Sequence, residues 1–185
     1  NIGGLWPMGV PVGQSWLEMG AILYAIQTYK IRLVVELGCH RCGLGAILAS
    51  RTVFDPGFSY LGIEYKADLL DGDIIPQMQS LPRVAVLQAD VFASDTLARV
   101  RERISGAGPA LIYCDNGDKP REIVVYAPLL RQGDILAAHD CAPGNPRRGA
   151  SAEINDTDLA ALGPNWERLR PWWLEATTIG MLRRL

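Results

Sequence analysis

The chain has 185 residues, of which 49% are hydrophobic, and this length suits one domain with a sizeable core. Its 18 Lys and Arg against 20 Asp and Glu give a formal net charge of -2, which provides no electrostatic footprint for nucleic acid or an anionic membrane. The apolar runs are far shorter than the roughly 20 residues that a bilayer-spanning helix requires. We therefore expect a single soluble domain with a small-molecule partner and neither nucleic-acid nor membrane partners.

The predicted elements alternate along the chain, which indicates β-α-β units around a largely parallel sheet. A helix at 14–29 comes first, with Leu17, Ala21, Tyr24, Ala25 and Tyr29 at helical spacing, and it should pack on the sheet or cover the site. The expected strands are 32–37, 60–65, 84–88, 110–114, 134–139, 167–172 and 177–183. The expected crossover helices are 43–50, 67–79, 95–104 and 121–131.

The last two strands are separated by a break too short for a crossover helix, so they should pair antiparallel. The predicted fold class is α/β: a doubly wound, seven-stranded, mostly parallel sheet with a C-terminal antiparallel hairpin. We expect one domain over 1–185, with 1–30 as an N-terminal helical cap and 31–185 as the core. Homo-oligomerisation stays open.

The first strand runs into a glycine-bearing turn and then a helix, in the segment VVELGCHRCG at 34–43. Glycine lets the backbone approach a ligand closely, and the helix N-terminus offers unpaired N–H groups. This predicts a ligand site that includes Glu36, Gly38, Cys39 and Gly43. The alternative is an ordinary β-α turn in which Gly38 supplies an unusual φ angle.

Acidic residues also follow the second and third strands. Glu64, next to Tyr65, ends strand two, where a carboxylate can accept both ribose hydroxyls of an adenosine-containing cofactor. Asp90 and Val91 follow strand three. Taken singly, each acid has the alternative of an ordinary polar strand end.

Together these segments resemble the first motifs of class I S-adenosylmethionine-dependent methyltransferases. The resemblance lies in Glu36-x-Gly38 followed by Glu64, and in the segment QADVF at 88–92. It implies S-adenosylmethionine as cofactor, with its methionine part at the Gly38 turn and its ribose at Glu64. Asp90 and Val91 would then flank the adenine, and Asp115 would lie in the same cofactor site.

Two further stretches, 111–119 and 129–140, resemble metal-dependent O-methyltransferases. Relatives of this kind include the catechol and caffeoyl-CoA enzymes, the macrolide sugar enzymes and the cephalosporin hydroxylase-like group, which 6–11 fits best. The resemblance implies a divalent cation, Mg²⁺, held by Asp115 and Asp140 and binding two vicinal oxygens of the substrate. Several relatives carry an acidic or amide side chain beside the second Asp, whereas this chain has His139 there. His139 is therefore a candidate ligand, a candidate base or simply the end of its strand.

The implied function is O-methyl transfer to a small-molecule hydroxyl, such as that of a sugar or secondary metabolite. Lys119 resembles the lysine base of catechol-type enzymes, although it follows Asp115 by four residues where three are usual, and a solvated surface lysine is the alternative. Asp115 and His139 are equal base candidates. The rival functions are a non-catalytic and a metal-free S-adenosylmethionine-binding protein of the same fold.

The four cysteines are too few and too unevenly spread for the disulfide framework of a small secreted domain, which favours a cytoplasmic location. Cys39, Cys42, Cys114 and Cys141 fall at or near strand ends that should be neighbours, so a zinc or redox site is one hypothesis. We favour the alternative that they are small buried apolar residues, because a second C-x-x-C is missing.

Overall fold

A computed structural model describes residues 12–70, 72–141, 154, 156–169 and 177–185. The helices are α1 (Trp16–Thr28), α2 (Gly43–Phe54), α3 (Ile74–Gln79), α4 (Ser94–Gly106), α5 (Lys119–Tyr126) and α6 (Asp156–Ala160). The strands are β1 (Leu33–Leu37), β2 (Ser59–Glu64), β3 (Val84–Gln88), β4 (Ala110–Cys114), β5 (Ile135–Ala138), β6 (Trp166–Arg168) and β7 (Gly180–Arg184). Within these ranges, no helix combines the length and apolar character needed to cross a lipid bilayer.

The seven strands form one sheet in the order β3-β2-β1-β4-β5-β7-β6. The first five strands are mutually parallel, and β7 runs antiparallel to both β5 and β6. The predicted fold class is therefore confirmed. Since strand order reverses between β1 and β4, a crevice opens beyond the carboxyl ends of these two strands, where open α/β sheets bind ligands.

The central strands are buried on both faces, as a parallel sheet covered by helices on both sides requires. In β1, Val34 packs with residues of α1, α2 and α3, whereas Val35 packs with residues of α4 and α5 on the other face. The alternation follows the two-residue period of a strand. The near-continuous apolar runs of β1 and β4 are therefore packed against helices on both faces of the sheet.

Several element boundaries differ from the predicted ones. The region 67–79 holds a short 3-10 turn (Ala67–Leu69) and then α3, not one helix, and α6 was not predicted. Strand β7 begins at Gly180, not at 177, and β6 covers only Trp166–Arg168 within the described residues. Residues 170–172 of the predicted strand lie outside the described residues, as does the segment 6–11.

The buried face of α1 also differs from the predicted one. Of the five apolar residues expected on it, Ala21 and Ala25 are buried, but Leu17 is 53% exposed and Tyr24 is 43% exposed. The helix instead buries Met19, Ile22, Ile26 and the carboxylate-bearing Glu18. The buried face is therefore displaced by about one residue from the predicted face. This orientation turns Glu18 toward the residues that follow β5 and precede β7.

Asp134 anchors the start of β5, and its removal should destabilise the fold. Its buried carboxylate accepts hydrogen bonds from the backbone N–H groups of Ala110 (2.7 Å) and Arg131 (2.7 Å). In Asp134→Ala both donors lose their acceptor, so the free energy of unfolding should fall by about 3 kcal/mol. Urea denaturation measures this, with the exposed Glu102→Ala as control. A loss no larger than that of the control would contradict the assignment.

Candidate active site

Three polar side chains meet where β4 and β5 end. The ladder continues one residue past each strand, since Asp115 N–H donates to the Leu37 carbonyl at 2.9 Å and His139 N–H donates to the Cys114 carbonyl at 3.0 Å. Because these strands are parallel neighbours, Asp115, His139 and Asp140 reach the same edge of the sheet. One ligand atom from each lies within 4.8 Å of the other two. We call Asp115, His139 and Asp140 the Asp–His–Asp cluster.

The imidazole lies between the two carboxylates. His139 Nδ1 is 3.2 Å from Asp115 Oδ1 and 3.4 Å from Asp140 Oδ1. Asp140 itself has a φ of 53°, a left-handed backbone conformation that is uncommon for a residue with a side chain. Such conformations persist where the surrounding structure requires them, and functional sites are common places for them.

Lys119, at the start of α5, completes this group of charges. Its Nζ lies 3.0 Å from Asp140 Oδ2 and 4.0 Å from Asp115 Oδ1, and it donates to the Asn116 carbonyl at 2.9 Å. The side chain is only 4% exposed. The alternative of a solvated surface lysine is therefore wrong, and Lys119 is close enough to take part in chemistry at the cluster.

Two residues near the start of α1, neither of them predicted from the sequence, also reach the cluster. Gln14 Nε2 donates to Asp115 Oδ2 at 2.7 Å, and Glu18 Oε1 lies 3.4 Å from His139 Nε2. Glu18 is held in place because it accepts from Thr178 Oγ1 (2.5 Å) and from Ser15 N–H (2.7 Å). The sequence Ser15-x-x-Glu18 is a capping-box pattern, which signals a helix start but not the direction of the glutamate.

The carboxylates around His139 stabilise its charged form. Burial disfavours the imidazolium, but the contacts with Asp115 and Glu18 outweigh burial and raise the pKa of His139 to about 10. For Glu18, burial alone would raise the pKa, but its contacts with His139, Thr178 and Ser15 hold that pKa well below its ordinary value. Imidazolium and carboxylate thus stabilise each other when no other cation is present.

The charges of this group fit a divalent cation. A metal-bound imidazole is neutral. With His139 in that form, the carboxylates of Glu18, Asp115 and Asp140 and the ammonium of Lys119 leave two negative charges in excess. One divalent cation would balance them, and the ligand atoms are already gathered.

A cavity of about 300 Å³ adjoins the cluster. Of the residues predicted to bind cofactor or metal, its lining includes Glu36, Gly38, Cys39, Gly43, Asp115 and His139. Gly38 has a φ of 79°, and a Cβ there would lie 2.6 Å from the Cα of Asn116, so the turn requires glycine. Cys42 gives α2 no side-chain cap, which leaves N–H groups at this helix start for a ligand.

Two buried glutamates, Glu36 and Glu64, lie near this turn. Burial raises the pKa of Glu36 to about 8, although the hydrogen bond from Tyr60 OH (2.5 Å) works in the opposite direction. Glu64 is buried outside the cavity lining, where its carboxylate accepts from the N–H groups of His40 (2.9 Å) and Lys66 (3.0 Å). Glu64 therefore holds the Gly38 turn in place, a contact that the sequence did not predict.

The other predicted cofactor residues do not line this cavity. Tyr65 is 68% exposed, and Asp90 Oδ1 accepts from Phe92 N–H at 2.8 Å in a tight turn. Val91 is buried in the core, where its carbonyl accepts from Tyr126 OH. Their contacts with an adenosine stay predictions.

The four cysteines are all buried. The Sγ atoms of Cys39 and Cys42 lie 3.4 Å apart. Among the residues that the structure describes, however, no cysteine joins a group of three or more metal-ligating side chains. This arrangement fits small buried apolar residues better than a zinc site.

Comparisons with known proteins identify the fold. No protein-family model matches the chain, and no curated protein does so at a significant level. Solved structures do match: a CmcI structure with Mg and SAM is 20% identical with a TM-score of 0.71, covering 97% of this chain and 76% of that one.

Two named methyltransferases have the same architecture. The SAH-bound methyltransferase PaMTH1 from Podospora anserina is 15% identical with a TM-score of 0.63, covering 92% of this chain and 79% of that one. The O-methyltransferase TomG from Streptomyces achromogenes, solved with SAM, is 10% identical with a TM-score of 0.60, and the match covers 92% of this chain and 80% of that one. The chain therefore has the fold of the S-adenosylmethionine-dependent methyltransferases.

The raised pKa of His139 predicts a pH dependence of stability in the metal-free protein. The folded pKa of about 10 exceeds the usual 6.5, so the stabilisation is complete below pH 6.5 and is lost as the pH rises toward 10. Between pH 7 and 10, the unfolding free energy should thus fall more steeply for the wild type than for His139→Gln. Urea denaturation in chelator measures both slopes. Equal slopes would show that the pKa of His139 is not raised.

Proposed function

We propose that this protein is an S-adenosylmethionine-dependent O-methyltransferase that uses a divalent cation and methylates a hydroxyl of a small molecule, such as a sugar or secondary metabolite. The observation that carries the proposal is the sharing of residues between the two parts of the site. Asp115 and His139 line the glycine-rich cavity and also belong to the Asp–His–Asp cluster. A cofactor in the cavity and a cation at the cluster would therefore be adjacent.

The cofactor would supply an electrophilic methyl group on its sulfonium. The backbone of Gly38, Cys39 and Gly43 would bind its methionine part, beside the Glu36 side chain. Glu64 would hold the ribose: each backbone contact occupies one lone pair on a carboxylate oxygen, which leaves others for hydroxyl groups. Tyr65, Asp90 and Val91 are the proposed adenine side.

The cluster would hold the acceptor. A cation held by Asp115, His139 and Asp140, with Mg²⁺ implied by the resemblance, would lower the pKa of a bound hydroxyl. Asp115, Lys119 and His139 are the base candidates, since all three lie within one small group of contacts. The main contribution of the protein to such a displacement is alignment of the hydroxyl with the methyl group and exclusion of water.

One contact favours a second candidate, metal-free methyl transfer. The ammonium of Lys119 already lies 3.0 Å from Asp140, so an internal cation offsets part of the negative charge of the cluster. In that case, Lys119 would orient the acceptor, and the metal would be dispensable. Removal of metal distinguishes the two candidates.

Glu64→Ala should weaken binding of S-adenosylhomocysteine by about 1.5 to 3 kcal/mol, the range for losing hydrogen bonds to a charged group. Isothermal calorimetry gives the affinity. Asp68→Ala is the matched control, because this exposed acid follows in the next 3-10 turn. Since Glu64 also holds the turn, thermal unfolding of the variant should be measured alongside. No binding to the wild-type protein, or equal binding by the variant, would refute the cofactor assignment.

Asp140→Asn should lose most methyl transfer and keep its affinity for the cofactor, because Asp140 does not line the cofactor cavity. Turnover is measured as the formation of S-adenosylhomocysteine from S-adenosylmethionine, with a panel of catechols and vicinal diols as methyl acceptors. Chelator should abolish the wild-type activity, and added divalent cation should restore it. The exposed Asp95→Asn is the control. Full turnover in chelator would instead support the metal-free candidate.

A further inference from the structure

The imidazole of the Asp–His–Asp cluster offers a nitrogen atom beside the carboxylate oxygens. His139 Nδ1 faces Asp115 Oδ1 at 3.2 Å and Asp140 Oδ1 at 3.4 Å, so the inward-facing donors are two carboxylate oxygens and one imidazole nitrogen. Lys119 contacts the other oxygen of Asp140, Oδ2, and leaves Oδ1 on the side of the imidazole. The cluster therefore presents a mixed set of donors.

The opposite ring nitrogen has the carboxylate neighbour that is typical of metal-binding histidines. His139 Nε2 is buried and lies 3.4 Å from Glu18 Oε1, without forming a hydrogen bond to it. Glu18 is fixed by Thr178 and by the capping box of α1. A carboxylate that accepts a hydrogen bond from the outer nitrogen would keep the proton there and leave the lone pair of the inner nitrogen for a metal, and Glu18 is the carboxylate placed to do this. Here that inner atom is Nδ1.

Mixed nitrogen and oxygen donors do not suit Mg²⁺ best. Mg²⁺ is a hard ion that prefers oxygen ligands, whereas imidazole suits iron, nickel, copper and zinc. The cluster is also only partly buried, with the side chains of Asp115, His139 and Asp140 between 14% and 23% exposed. Three protein ligands with an accessible side are typical of a catalytic metal site rather than a closed structural one.

We propose that this site selects a first-row transition ion of the Fe²⁺, Co²⁺ or Zn²⁺ type over Mg²⁺, with His139 Nδ1 as the selecting ligand. The inference rests on the proposed function for the role of the metal, but the selectivity is a property of the ligands. His139→Glu replaces the nitrogen by oxygen and should move the preference toward Mg²⁺. Glu18 would act as a positioning residue, through the imidazole.

Cobalt and magnesium are the probes. Protein stripped with chelator is titrated with CoCl₂ or MgCl₂ in a calorimeter, and we expect Co²⁺ to bind at least about 100-fold more tightly, because an imidazole ligand favours a first-row transition ion whereas Mg²⁺ prefers oxygen ligands. In His139→Glu the ratio should fall at least about tenfold. His40→Gln is the matched control, because the chain has two histidines and His40 is the exposed one. In this control the ratio should not change.

A second readout needs no variant. With two histidines in the chain, Co²⁺ should strongly shift or broaden the imidazole NMR signals of His139, and those of His40 much less. Equal affinities for the two metals, an unperturbed His139 signal, or an unchanged ratio in a folded His139→Glu would overturn the inference. So would sulfur-to-cobalt charge-transfer absorption, which would place the ion at Cys39 and Cys42. If the protein shows the expected cobalt selectivity but transfers no methyl group, the proposed function would be overturned and this inference would stand.

Discussion

The site depends on the parallel pairing of β4 with β1 on one side and with β5 on the other. Because the ladder continues past the strands through the N–H groups of Asp115 and His139, the residues that follow the strands have nearly as little freedom as the strands themselves. Gly38, which follows β1, is fixed at the same edge and lies against the backbone of Asp115 and Asn116. Cavity and cluster are therefore two products of one set of strand pairings.

This arrangement gathers like charges, and the protein offsets them in two ways. Lys119 offers a fixed ammonium from the first turn of α5, and His139 can carry a second positive charge. Removing charges from water is costly unless they are paired, so the metal-free site is stable only because these two groups pair with the carboxylates. The imidazolium can be neutralised, whereas the ammonium is held beside a different oxygen of Asp140. A cation would thus take the place of the proton of His139 rather than that of Lys119.

The sequence allowed the prediction of the features that depend on local pattern. Apolar runs and their spacing located the strands, and Asp115, His139 and Asp140 could be placed together because strand ends in a parallel sheet share an edge. Glu18 and Gln14 could not be found in this way. Both contacts depend on the rotation of α1, which is set by packing against the sheet, and apolar residues on adjacent faces of that helix made its periodicity ambiguous. Lys119 was ambiguous for a similar reason, since burial of a charged side chain leaves no trace in local sequence.

The helix that precedes the sheet is consequently part of the site. Its first turn places Glu18 beside His139, and Gln14 just before the helix donates a hydrogen bond to Asp115, so the same short segment contacts two members of the cluster. Thr178, which precedes β7, contacts the same glutamate. A shift of α1 would therefore change the donor geometry of both Asp115 and His139 without altering a strand. Since Asp115 also lines the cavity, such a shift would change the cavity as well, and the position of α1 couples the cavity to the cluster.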